Sequence, residues 1–437
     1  MHHVTAKPTA YSIAINWLTS HIVYYRIVIM LTNLPFTIDA LHEVCRQGVS
    51  PDEVIQESLA RLTNIADEGI YFYVASSSQL SKAITDLGPF DLELKPLWGI
   101  PFAVKDNIDA ANMPTTAACY EFHYITKQDA YVVSLLKLAG AIVIGKTNLD
   151  QFATGLVGLR TPYPAPKNAI DSKLVPDRSS LRSALAVAHG EVYFSLGTDT
   201  AGSGRITSAL NNIVGLKPTL GSISSRGVIP TCRSLDTVSI LALTVEDASL
   251  VYACCRSYDK KDPFSKPYHG DAKQNMPTDF TVAVPDSTSL ILDEPAQKKA
   301  YEQALNCWRQ KRAKLVEIDF NPFYEVPKLL YEGLWVAERL AALEHFIAKH
   351  QSALYSITHV IIESAHKFSA SDAFNARYHL QALPWKTTSI LTKIDVIGVP
   401  PMPGLVYKSD IGSNAIGPNS RLGTYTNLLD DDHKKYH

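Results

Sequence analysis

Apolar residues recur along this chain in two rhythms, and each predicts its own kind of element. Val54, Ile55, Leu59 and Leu62 return at helical spacing behind Ser50-Pro51-Asp52-Glu53. That opening supplies a Ser N-cap, a Pro at the first helical position and a Glu at the third, so a helix starts there. The same rhythm predicts helices from about Ala130 to Leu138, closed by Gly140, over Ala184 to Ala188, and over Ala296 to Lys311 and Leu329 to Lys349. Short apolar runs predict buried strands at Gly99–Val104, Ala141–Ile144, Val192–Gly197 and Phe280–Val284, and at Ile394–Val399, which Pro400-Pro401 ends. Strands alternating with helices imply an α/β domain with a covered, mostly parallel sheet.

The ends break the pattern. Tyr11 to Thr32 is apolar and long enough to span a bilayer, but Asn16, His21 and Arg26 interrupt it. An Arg near a helix centre costs about 2.5–3.5 kcal/mol on insertion scales, so a surface extension is expected instead. No small-residue cleavage site follows it, which argues against a signal peptide. Met30 is an alternative start. The expected layout is an extension over 1–32, one large α/β domain over 33–430, and a polar tail, DDHKKYH, over 431–437. The Lys260 to Pro277 stretch is expected to be a surface loop.

Composition narrows the function. Across 437 residues, 46% are apolar and only 19% charged, which excludes a largely disordered chain. Lys and Arg number 41 against 43 Asp and Glu, leaving no global field for nucleic acid or an anionic membrane. Six scattered cysteines without a CxxC pair fit neither a disulfide scaffold nor a zinc site. A reduced, cytoplasmic protein without a metal is the expectation. Gly140 to Thr147, GAIVIGKT, matches the phosphate-loop pattern letter for letter. Its four middle residues are Ala-Ile-Val-Ile, which should form a buried strand rather than a loop of phosphate-binding amides, and a helix precedes it.

Three segments carry the candidate chemistry. GIPFAVKDN ends a strand at Lys105, on the face shared with Ala103 and Asn107, while Asp106 points away. Desolvated there, the amine would lose its proton and serve as a base; left in water, it is an ordinary surface lysine. PDRSSLRSALAVA places Ser179 and Ser180 ahead of a helix, where serines also act as plain N-caps. GTDTAGSGR surrounds Ser203 with small residues whose amides suit an oxyanion hole, although such a run also fits a turn. His189 is expected to end the helix begun after Ser183, near the negative end of its dipole.

These segments occur in the order GIPFAVKD, double serine, GTDTAGSGR and NNIVGLKPT (Asn211 to Thr219), and together they resemble the amidase signature family from about Leu34 to Asn427. The resemblance implies an α/β/α sandwich with a central mixed, mostly parallel sheet. It also implies a Ser–Ser–Lys unit: Ser203 as nucleophile, Ser179 as the bridging serine on a cis peptide, and Lys105 as base. Backbone amides of Thr200, Ala201 and Gly202 would form the oxyanion hole, and no cofactor is required.

Within that family, the chain is most similar to allophanate hydrolases. TNLDQFATGLVG (Thr147 to Gly158), SSRGVIPTCRSLDTVSILALT (Ser224 to Thr244) and LLYEGLWVAERLAAL (Leu329 to Leu343) carry the likeness. FSASDAFNARYHLQAL (Phe368 to Leu383) and NSRLGTYTN (Asn419 to Asn427) extend it. The implied substrate is small, flat and anionic, and Tyr331 and Arg339 would bind it, with Gly155 contributing its backbone. The two side chains lie eight residues apart, about 80° around one helix. The implied reaction releases ammonia late in urea degradation. A homodimer and a separate biotin-dependent urea carboxylase are the implied partners, since this chain has no AMKM-type biotin motif. Two departures stand out. Asp177, Arg178, Leu181 and Arg182 replace the Gly or Ser usual around the double serine, and the polar tail replaces an apolar segment after TYTN. They leave open a decayed amidase-fold protein, or an amidase for another small amide.

Overall fold

The structure is a computed structural model describing residues 30–154, 161–175, 179–267, 278–325, 335–411 and 417–427. Its main sheet has six strands: β1 (Tyr71–Val74), β2 (Pro101–Lys105), β5 (Ile142–Thr147), β6 (Phe194–Asp199), β7 (Val214–Leu216) and β8 (Thr237–Ala242). They lie in the order β1-β5-β2-β6-β8-β7. β2 runs parallel to both neighbours, whereas β1 joins β5, β8 joins β6 and β7 joins β8 antiparallel. The sheet is therefore mixed, with a parallel centre. β3 (Pro114–Thr115) and β4 (Tyr124–Ile125) form a short ribbon. β9 (Phe280–Pro285) lies between β10 (Ala313–Ile318) and β11 (Val396–Ile397) in a second, all-parallel sheet.

The central strands are buried along their whole length, their apolar residues together with polar ones such as Lys105, Lys146, Thr198 and Asp199. Phe102 on β2 stacks on Phe194 of β6 with centroids 4.8 Å apart. Helices Pro51–Ile65, Ser77–Leu87, Leu181–Ala188 and Val245–Cys255 flank the sheet. The expected helix start at Ser50 is a complete capping box, with Ser50 and Glu53 satisfying each other's backbone amides. The phosphate-loop lookalike is a strand, β5. Lys146 on it is fully buried, donates to Thr115 Oγ1 at 3.0 Å, and lies 3.9 Å from the Asp106 carboxylate.

Two boundaries shift. Met30 and Leu31 already pack on the core, and the Leu31 carbonyl accepts from Arg61 Nη2 at 3.1 Å, so the packed chain begins before residue 33. The run 394–399 contributes only Val396–Ile397 as strand, flanked by the Asp395 and Gly398 amides, which donate to the Thr281 and Ala283 carbonyls of β9 at 2.9 and 2.8 Å. Residues 1–29, 268–277 and 428–437, which hold most of the expected extension, much of the expected loop and the tail, lie outside the described residues. Among the described helices, none is long and apolar enough to cross a membrane.

Candidate active site

Lys105 ends β2 and Thr198 lies near the end of the adjacent parallel strand β6, so both reach the same carboxyl end of the sheet. That is where open α/β sheets place their ligands. The Lys105 amine is fully buried and has three hydroxyl oxygens within reach: Ser179 Oγ at 2.8 Å, Ser180 Oγ at 3.0 Å and Thr198 Oγ1 at 2.7 Å. Asn107 shares that face, donating to Thr198 Oγ1 at 3.4 Å. Asp106 instead points to Thr116, accepting its amide at 2.9 Å, as strand alternation requires.

The two serines differ in role. Ser180 Oγ donates to the Thr198 carbonyl at 2.9 Å and accepts its amide at 3.3 Å, which pins the segment to β6. Ser179, also buried, meets the amine immediately before helix Leu181–Ala188. No cis peptide bond occurs among the described residues; the bond linking Ser179 to Arg178 lies outside them, as does the rest of the 176–178 segment.

Burial is what pulls the Lys105 amine down, to about 7, against the opposing influence of Asp236, Asp150 and Asp199. Arg182 adds a smaller downward push. Arg182 fills a place where glycine was expected, yet its side chain is fully buried, with Nη1 3.8 Å from Asp150 Oδ1. The larger side chain is accommodated with a buried carboxylate beside its guanidinium. Its own pKa falls to about 10 through desolvation.

Ser203 is buried between β6 and helix Arg205–Leu210. Asp199 organises its loop. It accepts from the amides of Gly202 at 2.5 Å, Gly204 at 3.1 Å and Arg205 at 3.1 Å, and from Arg205 Nε at 3.0 Å. Burial alone would raise this carboxyl; the Arg205 guanidinium and those donors outweigh it and hold the group well below the usual range. Gly202 adopts φ +104°, a conformation a side chain would resist. Its amide was expected in the oxyanion hole, and here it is donated to Asp199. Thr200 is held through its side chain, Oγ1 donating to Asp236 Oδ1 at 2.5 Å. The Ala201 carbonyl accepts from Thr426 Oγ1 at 3.3 Å, so TYTN packs directly on the loop.

Arg339 lies on helix Trp335–His350, is nearly buried, and donates from Nε to Cys232 Sγ at 3.4 Å. The Cys232 amide in turn donates to Asp236 at 3.1 Å, which brings Arg339 to the Thr200 side of the site. Gly155 and Tyr331 lie outside the described residues. His189 caps the end of helix Leu181–Ala188, as expected, with Nδ1 3.9 Å from Glu191. Sequence reasoning did not single out Thr198, Asp199, Asp236 or Thr426. Asp199 sits inside the GTDTAGSGR motif and could have been found there; Asp236 and Thr426 reach the site only through the fold.

Comparison with known proteins points the same way. A family model described as Amidase matches residues 53–413. Urea amidolyase of Saccharomyces cerevisiae is 43% identical over 340 residues, covering 77% of this chain but 18% of that protein. Among solved structures, Kluyveromyces lactis urea amidolyase superposes with a TM-score of 0.85 at 39% identity, over 91% of this chain and 24% of that one. A Ser-to-Ala variant of Kluyveromyces lactis allophanate hydrolase gives a TM-score of 0.85 at 38% identity, over 91% of this chain and 66% of that one. The chain therefore spans about a fifth of the length of the urea amidolyases it matches.

Proposed function

The chain belongs to the amidase signature family, and on that premise we propose that it hydrolyses the amide of allophanate through a Ser203 acyl-enzyme. The observation that carries this reading is the sealed Lys105 amine among three hydroxyls. A charged ammonium has donors only; a neutral amine can donate twice and accept once. With its pKa near 7, Lys105 can therefore take a proton from Ser179. Ser179 takes one from Ser203 as Oγ attacks the substrate carbonyl. The relay returns a proton to the departing nitrogen, which leaves as ammonia. Water, activated by the same amine, then hydrolyses the ester and releases the carboxylate product.

Thr200 and Ala201 amides carry the oxyanion in this scheme, with Gly202 kept by Asp199. Arg339 grips the substrate carboxylate through its planar fork, with Tyr331 and the Gly155 backbone completing the pocket. No cofactor takes part. Allophanate would come from a biotin-dependent urea carboxylase acting on urea.

The test is ammonia release from allophanate by the purified protein. Wild type is expected to turn over and Ser203→Ala to lose activity by at least about a thousandfold. Arg339→Ala is expected to raise KM for allophanate while sparing turnover of an uncharged amide. Substrate binding without any ammonia would instead indicate a decayed amidase.

A further inference from the structure

Two parts of the proposed site come from distant segments: the loop that stabilises the oxyanion and the arginine that holds the substrate carboxylate. One carboxylate touches the supports of both. Asp236 Oδ1 accepts from Thr200 Oγ1 at 2.5 Å, and its oxygens accept the amides of Thr231 at 2.7 Å and Cys232 at 3.1 Å. Cys232 Sγ is the acceptor for Arg339 Nε. We propose that Asp236 is a positioning residue: it clamps the oxyanion loop to the segment that seats Arg339, so that nucleophile, oxyanion donors and carboxylate grip share one rigid geometry.

Electrostatic stabilisation in a site of this kind depends on donors fixed before the reaction starts. Thr200 lies between Asp199, which ends β6, and Ala201, whose carbonyl Thr426 holds. Without the Asp236 contact, nothing described anchors the Thr200 side chain. At the other end, Asp236 fixes the amide of the residue whose sulfur meets Arg339. The clamp therefore predicts separable defects, one in kcat from the Thr200 end and one in KM from the Cys232 end. A cavity of about 190 Å³ also reaches Asp236, and Arg226, Arg233 and Lys261 are among its lining residues. A small carboxylate can enter from that side.

This inference rests on the proposed reaction, so the experiment pairs allophanate kinetics with labelling of Ser203 by a fluorophosphonate, which reports the nucleophile and oxyanion loop without reference to substrate. Thr200→Val is expected to lower kcat and the labelling rate, Cys232→Ala to raise KM for allophanate, and Asp236→Asn to do all three. The effect on labelling should be about tenfold to a hundredfold. In Asp236→Ala, formate but not formamide should restore part of the labelling rate, a response that a purely structural defect would not give.

Unchanged labelling in a folded Asp236→Asn protein overturns the clamp, as does a Thr200→Val defect confined to KM. Wild type that labels but leaves allophanate untouched counts against the substrate and not against the clamp, which the labelling arm still decides. Wild type that does not label overturns both readings.

Discussion

Lys105 holds its place with hydroxyl partners instead of a carboxylate, and that choice decides its protonation. An adjacent carboxylate would favour the ammonium; burial among hydroxyls favours the free amine. The rate constant should therefore fall about tenfold per pH unit below roughly pH 7, where the amine gains a proton and loses its only acceptor lone pair. A pH profile of kcat/KM checks this, and Lys105→Met should lower kcat by roughly 10²–10⁴ while leaving the protein folded. Arg182 tests the same logic from a neighbouring position. It pushes the amine down while Asp150 pulls it up, so Arg182→Met leaves the acid unopposed and should move the acid limb to higher pH. An unmoved limb would mean that this pair does not tune the base. In the sequence Arg182 stands out as a departure, because the family pattern has glycine there. Its partner, Asp150, is 32 residues upstream, and no local spacing announces that the two meet.

Elements whose cause is local were legible; those that depend on a distant partner were not. The capping box at Ser50, the strand inside the phosphate-loop lookalike and the helix Tyr131–Leu138 each follow from a few adjacent residues. The antiparallel additions of β7 and β8, and the shortening of the 394–399 run, depend on which edge accepts each strand. The site divides the same way. Of the proposed site residues, Lys105 ends β2 and Ser179 and Ser203 each lie two residues ahead of a helix, all within local sequence signatures, whereas Asp236 is tied to Thr200 across 36 positions. Gly140 shows how much a local signal can carry. It ends helix Tyr131–Leu138 at φ +96°, and an added Cβ would meet Trp98 Cα at 2.8 Å. Its carbonyl accepts the Gly99 amide at 3.0 Å, which sets the entry to β2 and hence the position of Lys105. Gly140→Ala should thus cost about 1–3 kcal/mol of unfolding free energy from strain, measurable by urea denaturation.

At the scale of the whole molecule, the main sheet buries two amines, Lys105 on β2 and Lys146 on β5, and their cost depends on pH. Desolvation lowers Lys105 to about 7 and Lys146 to about 8, the latter despite Asp106 beside it. In the unfolded chain both would titrate near 10.4. Above each folded value the native state has released a proton that the unfolded chain still holds. Stability therefore rises with pH, by at most about 1.4 kcal/mol per unit for each amine, between the folded and unfolded values. The buried thiols act in the opposite sense. Burial pushes Cys119 to about 11 and Cys232 to about 12, so above about pH 9 the native state keeps protons that the unfolded chain gives up. The two trends place the expected gain in a window from about pH 7 to 9. Urea midpoints measured across that window should climb in the wild type and climb less steeply in Lys146→Met, whatever that variant loses in absolute stability. A flat wild-type profile would show that water reaches these amines in the folded protein, and with it the reason for a neutral Lys105 would be gone.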